Sequence, residues 1–189
     1  MSLELRKHIE EIVSLTDEEF EYINSHFKLK QLKKHQYLIQ EDEQVNNIYF
    51  VISGLLKATF NDLNGKEYII QFATENWWIS DFQAFYNNVK SITSISCLEN
   101  VELLYISKED LDKICRESHK MEHFFRVKNS SGYVALQQRI LSLLTTNPKE
   151  RFEQFTRQYP HLGQRLSKTI IAAYLGISRE SLSRLSSKV

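Results

Sequence analysis

The stretch from Lys168 to Leu185 (KTIIAAYLGISRESLSRL) constrains this chain more than any other. Ile171, Ala172 and Leu175 give a first short helix one apolar face. Gly176 follows where the chain must turn sharply, a place suited to a residue that tolerates φ > 0. Ile177 plugs the corner, Ser178 is a good N-cap for a second helix, and Leu182 and Leu185 form the apolar side of that helix. A small side chain at Ala172 lets the two helices approach closely, and Leu182 returns to the core they share. This is the layout of a DNA-binding helix-turn-helix. The opposite face of the second helix carries Arg179, Glu180, Ser181, Ser183 and Arg184. Arginine pairs bidentately with guanine, and glutamate accepts from cytosine N4, so this face is suited to reach base edges. An ordinary helical hairpin with a solvated charged face shares the apolar spacing. Alanine, glycine and leucine at these offsets, with two arginines and a serine cap, favour the DNA-reading layout.

Charge supports the same end of the molecule. The chain is neutral overall, with 24 Lys and Arg against 24 Asp and Glu. Residues 149–189, however, hold eight Lys or Arg against three glutamates, so this segment is +5 and the remainder is −5. A basic end on a neutral protein fits a localised phosphate-binding face and argues against indiscriminate nucleic-acid binding by the whole chain.

The remaining sequence divides by periodicity. Residues 3–13 and a capping box at Thr16–Glu19 predict two short N-terminal helices, the second ending near His26. From about Lys33 to Ser107 the pattern becomes short β-rich runs. Strands are expected at Tyr37–Gln40, on both sides of Ser53-Gly54 within 47–60, at Glu67–Phe72, at Ser91–Cys97 and at Val101–Ile106. Asn61 to Gly65 reads as a hairpin turn. Such runs predict an antiparallel roll or barrel, not a βαβ fold. Ser107 to Asp110 starts another helix, and a longer helical stretch spans about His119–Thr145. The apolar residues of that stretch are too many for one face of a lone surface helix, so one face is expected on the roll and another on a second subunit. Gly132 in its middle argues against continuity, at about 1 kcal/mol in a helix interior. Helices around Lys149–Gln158 and Leu162–Arg165, separated at Pro160, lead into the terminal pair.

A roll, a long helix and a C-terminal helix-turn-helix resemble the cyclic-AMP receptor/fumarate–nitrate regulator (Crp/Fnr) superfamily of bacterial transcription regulators over nearly the whole chain. Three places carry the resemblance: Ile48–Lys57 with Gly54 between two strands, Gln138–Leu144 at the end of the long helix, and Ile177–Leu185. The resemblance implies an α+β chain with an antiparallel, jelly-roll type β-roll at 1–118, a dimerisation helix at 119–146 and a DNA-binding domain at 147–189. It implies a homodimer placing recognition helices (about 178–188) in successive major grooves of a pseudo-palindromic site, with RNA polymerase as a further partner. Arg179, Glu180, Ser183 and Arg184 stand where the family reads bases, with Ala172, Gly176 and Leu182 packing the motif, and the resemblance implies Lys168, Thr169 and Ser178 as contacts to the DNA backbone, which position the protein without specifying sequence. The chain ends just after this helix, so a full β-wing is not expected.

The departures concern the ligand. Nucleotide-binding members hold ribose and phosphate with a Gly-Glu pair and an Arg-Ser/Thr pair, whereas this chain has Ser80-Asp81 and Lys90-Ser91. Lysine lacks the planar fork that grips a phosphate bidentately, so cyclic AMP is not the expected ligand of this degenerate pocket. Trp77 and Trp78 are expected in the core. Cys97 and Cys115 are too few and too separated for an iron–sulfur cluster and read as reduced thiols. His119 and His123 have metal spacing (i, i+4) but no third ligand nearby, so a surface pair is expected and no metal. None of the other histidines (8, 26, 35, 161) stands out as a haem ligand. The opening residues MSLELRK lack a secretory apolar segment and no run reaches membrane-spanning length, so the chain is expected to be cytoplasmic. A cupin-like enzyme would need clustered strand histidines, and 33–107 contain only His35. No Ser/His/Asp set, phosphate loop or close carboxylate pair can be singled out, and a non-enzyme is expected. A ligand-sensing module with a decayed DNA-binding end is the remaining alternative, supported only by the missing wing.

Overall fold

A computed structural model describes residues 2–186. Two helices open the chain, α1 (Leu3–Glu10) and α2 (Asp17–Ser25). The Thr16 capping box is formed in full: Thr16 Oγ1 accepts from the Glu19 amide, and the Glu19 carboxylate accepts from the Thr16 amide. Eight strands follow: β1 (Lys28–Leu32), β2 (Tyr37–Ile39), β3 (Asn47–Ser53), β4 (Leu56–Asn61), β5 (Glu67–Ala73), β6 (Trp78–Ile79), β7 (Ser94–Cys97) and β8 (Val101–Ser107). A short helix, α3 (Phe82–Asn87), interrupts them. The strands form two four-stranded sheets in the orders β1-β8-β3-β6 and β2-β7-β4-β5. This is the expected antiparallel roll.

Burial along the strands follows position in the sheet. Strand β3 lies between β8 and β6, and four consecutive residues, Ile48 to Val51, are buried. Strand β8 reads instead as partial alternation, with Val101, Leu103, Leu104 and Ile106 inward. At the β3–β4 corner Gly54 has φ +97°, and an added Cβ would lie 2.3 Å from the Asn100 carbonyl oxygen. Only glycine fits this approach, which explains the strand–glycine–strand pattern. Leu5, Ile9, Phe20 and Ile23 of α1 and α2 join the same core.

The roll begins earlier than the sequence suggests. Strand β1 starts at Lys28, five residues before the expected onset, and its lysine-rich run (KLKQL) disguised it. It is an edge strand paired on one side with β8 from Lys28↔Tyr105 to Leu32↔Val101, and lysines are a common defence of such edges. Strand β6 is too short to give a periodic signal. Helix α3 lies between the two residue pairs read as a pocket, Ser80-Asp81 and Lys90-Ser91, and Ser91 precedes β7 rather than opening it.

After α4 (Lys108–Glu117) comes α5 (His119–Thr145), a single 27-residue helix that passes through Gly132 without a break. Its first three turns bury Met121, Phe124 and Phe125, and the two phenylalanines, with Phe50, surround Trp78. The last four helices are α6 (Pro148–Gln158), α7 (Leu162–Arg165), α8 (Lys168–Leu175) and α9 (Arg179–Ser186). Packing groups the chain into one unit of Met1–Phe60 with Gln71–Asn129, and another of Asn61–Ile70 with Ser130–Val189. The division therefore falls inside α5, where side chains cease to be buried, and not at the helix ends. The tip of the β4–β5 hairpin belongs to the second unit.

Candidate nucleic-acid interface

The last helix pair is built by local rules. Ser167 N-caps α8 through a bond from the Ile170 amide (3.3 Å), and Ser178 caps α9 through a bond from the Ser181 amide (3.1 Å). Between them Gly176 adopts φ 68°, ψ 34°, the left-handed C-terminal turn expected from the sequence. A helix end leaves its final four carbonyls without intrahelical donors, and all four of α8 have found one. Ala172 O accepts from Ile177 N (3.0 Å) and Ala173 O from Gly176 N (3.2 Å). Tyr174 O accepts from Arg139 (2.9 Å) and Leu175 O from Arg151 (3.0 Å). Ala172 and Leu182 are buried between the helices, and Phe155 of α6 packs on Tyr174 with ring centroids 5.6 Å apart.

Arg179, Glu180, Ser183 and Arg184 are all exposed. At 100° per residue they span an arc of about 140° on α9, while Leu182 and Leu185 lie on the other side. The four expected base readers thus share one open face. Hydrogen bonds from the Glu180 amide and the Ser178 hydroxyl, aided by Arg179 and Arg184, hold the Glu180 carboxyl below the usual range. It is therefore an ionised acceptor at neutral pH, the state needed to receive a cytosine amino group. Among the backbone candidates, Thr169 is exposed, and Lys168 Nζ donates to Ser186 Oγ at 2.9 Å on the surface. The Ser178 hydroxyl is engaged as the cap. Residues 187–188 of the expected recognition helix lie outside the described residues.

The second half of α5 presents an apolar seam. Tyr133, Leu136, Ile140 and Leu143 are exposed at spacings of three, four and three, joined by Leu144, which is 76% exposed. A 3–4 alternation is the pattern of a coiled-coil contact between helices.

The residues read as a degenerate ligand pocket are bonded to the protein itself. Asp81 is buried and N-caps α3, accepting from the Ala84 amide at 3.0 Å. Its other oxygen lies 2.8 Å from Ser91 Oγ and accepts from Thr93 Oγ1 at 2.9 Å. Burial pushes the Asp81 carboxyl up, but the bonds from Ala84, Ser91, Thr93 and Ile92 outweigh it and hold the group below the usual range. Ser80 donates to the Asn47 carbonyl at 2.9 Å, while Lys90 is exposed. A ribose or phosphate would find the acid saturated, the serines bonded elsewhere and the cation outside. These residues do not fit a cyclic nucleotide.

The other singled-out residues resolve as core or surface. Trp77 and Trp78 pack against the roll's core. The Trp78 indole N–H donates to His8 Nε2 at 3.3 Å. Cys97 is buried, Cys115 is half-buried and both are free thiols. His123 Nδ1 is 2.8 Å from the Arg126 guanidinium, and no metal-holding cluster of His, Cys, Asp or Glu occurs among the described residues. No helix among them is long and apolar enough to cross a membrane.

Comparison with known proteins agrees with this geometry. Residues 29–118 match the family model of the cyclic nucleotide-binding domain. FixK2 of Bradyrhizobium japonicum superimposes with a TM-score of 0.76 at 15% identity, covering 86% of this chain and 83% of that one. A structure from Eubacterium rectale, assigned to the crp/fnr family of transcriptional regulators, gives 0.67 at 16% identity over 90% and 82%. The anaerobic regulatory protein of Bacillus subtilis is 23% identical over 130 residues, 69% of this chain, and this chain spans 55% of that protein's length. The chain has the fold of these solved structures. The roll, the long helix and the terminal helix pair follow one another in the order the sequence implied. The sequence reading gave no role to Arg139 and Arg151. Its available signal was a lone cation in the otherwise apolar run of Gln138–Leu144.

Proposed function

We propose that this chain is a sequence-specific DNA-binding transcription regulator acting as a homodimer. The open Arg179/Glu180/Ser183/Arg184 face on α9, set by the Gly176 turn, is the observation that carries this reading. The +5 charge of residues 149–189 supplies attraction to phosphate on the same segment. The exposed seam of α5 supplies the dimer contact, so two recognition helices would address an inverted repeat. The saturated Asp81 node supports DNA recognition without a cyclic nucleotide. A DNA-bound regulator of this kind works in the cytoplasm and acts through RNA polymerase; a non-enzymatic role accords with the regulators whose fold it shares.

Selection of binding sites from random duplex DNA at about 150 mM salt, with no ligand added, tests the proposal. The expected product is an inverted repeat with half-site centres about one helical turn, roughly 10 base pairs, apart. Enrichment of no sequence, with or without small-molecule cell extract, would overturn it.

A further inference from the structure

Arg139 is the least expected charge in the molecule. It sits in α5 within an apolar run and is desolvated enough that burial lowers its pKa from the ordinary arginine value. A half-buried cation is ordinarily balanced by a carboxylate partner. Here the guanidinium is held by three backbone carbonyls. Nε donates to Ile70 O (3.2 Å), and Nη2 donates to Ile69 O (3.0 Å) and Tyr174 O (2.9 Å). Its carbon lies 3.5 Å from the centroid of the Tyr174 ring, a cation–π stack. Ile69 and Ile70 belong to the β4–β5 hairpin, and Tyr174 ends α8, where the helix dipole is negative. One planar fork therefore binds a hairpin and the scaffold helix of the DNA reader at once.

The hairpin turn is closed by its own hydrogen bonds. Asp62 Oδ1 accepts from the amides of Asn64 (2.9 Å) and Lys66 (3.0 Å), and Gly65 takes φ +76° to close the turn. The Asp62 and Lys66 backbones pair as well, at 3.0 Å. Lys66 Nζ lies 4.7 Å from the centroid of the Tyr68 ring. Residues 61–70 thus form a braced lever whose last two carbonyls grip Arg139.

We propose that Arg139 is a positioning residue for DNA recognition, and that hairpin 61–70 is a working part of the reader through it. This rests on the DNA-binding reading above. Arg139 touches no base. It fixes the C-terminal end of α8, and so the angle at which Gly176 launches α9, to the place of the hairpin. Lysine keeps the charge but cannot span three carbonyls in one plane.

The test pairs two variants, Arg139→Lys and Asp62→Ala, on the full chain. In the DNA-free protein, amide hydrogen exchange should quicken in both the hairpin and α8 for Arg139→Lys, and in α8 alone for Arg151→Lys. An unchanged hairpin in Arg139→Lys would overturn the proposal whether or not the protein binds DNA. On the selected duplex, each of Arg139→Lys and Asp62→Ala should weaken binding roughly tenfold with an unaltered salt slope, and the double variant should lose no more than the worse single one. Independent, multiplying losses would refute the coupling. Failure of the wild-type chain to bind any duplex would instead refute the DNA-binding reading, with the exchange result still deciding the hairpin's link to α8.

Discussion

Replacing Asp81 by asparagine keeps the side chain's size and removes its charge from a buried node. With the asparagine carbonyl toward the Ala84 amide, the α3 cap survives. The amide nitrogen then faces the hydroxyls of Ser91 and Thr93, which both met a carboxylate oxygen before. Ser91 has an alternative acceptor in the Thr93 carbonyl at 2.8 Å, so its loss is partly offset. Thr93 loses a bond to a charged acceptor, worth about 1.5–3 kcal/mol, so the expected destabilisation at pH 7 is about 2–3 kcal/mol. Its pH dependence has a definite sign. The folded pKa is depressed, so wild type enjoys the added stability above the unfolded aspartate pKa of about 3.9 and loses it as pH falls through the folded value. The variant has no such group, and the gap should therefore narrow below about pH 4. Urea unfolding followed by tryptophan fluorescence reads the right unit, because Trp77 and Trp78 are the chain's only tryptophans and both lie in the roll. With a slope of about 2 kcal/mol per molar urea, the midpoint should drop by about 1–1.5 M at pH 7. A gap below about 0.5 kcal/mol at pH 7, or one that stays constant into acid, would show that the node is not charge-stabilised.

Three further outcomes are expected. Arg184→Ala should cost about 1–3 kcal/mol in DNA affinity and relax preference at one base pair, whereas Lys168→Ala should weaken all duplexes alike and lower the salt slope by about one; equal, sequence-independent losses in a binding titration would remove the base-reading role. Ile140→Glu places a charge in the α5 seam of each protomer and should destabilise the dimer by about 3 kcal/mol or more, read as a shift to monomer in sedimentation; an unchanged dimer would mean the seam is not the interface. Burial, aided by Lys128 and opposed by Glu11, pushes His8 down to about 4. Its contribution to stability is present above about pH 6.5 and is lost as pH falls towards 4, so His8→Phe should flatten the stability profile in that window; a profile identical to wild type would place the acid sensitivity elsewhere.

What the sequence made legible had a local cause. The Gly176 turn, the Ser178 and Thr16 caps and the hairpin at Gly65 each follow from neighbouring residues, and each is where it was expected. The extent of α5 was equally readable from its apolar spacing, and it passes through Gly132 despite the cost of an interior glycine. Strand β1 was hidden because its pattern serves the edge of a sheet and not a core. Strand β6 and helix α3 were hidden by their shortness. The four base-reading candidates were legible since they lie close together in sequence on one helix. Asp81 and Ser91 were read together as facing a ligand, and only their geometry, with Thr93 added, shows the carboxylate closed on itself. Arg139 was illegible for the opposite reason: Ile69, Ile70 and Tyr174 are distant in sequence and offer backbone oxygen, which no residue type announces.

The two arginines at the end of α8 bear on how a net-neutral chain can read DNA selectively. Non-specific binding grows with the number of cations set against phosphates, and this chain limits that number. Of the eight Lys and Arg in 149–189, Arg151 is turned to the carbonyls of Thr146 and Leu175, and Arg179 and Arg184 lie on the α9 face proposed to read bases. Weak general attraction leaves discrimination to the accuracy with which α9 meets base edges, because a bidentate contact tolerates little misplacement. Accuracy in turn requires that α8 be fixed, and its last two carbonyls are fixed by cations that give up any role toward phosphate. On the proposed DNA-reading role, Arg139 and Arg151 would exchange attraction for alignment, raising the ratio of specific to non-specific binding even where affinity for DNA in general falls.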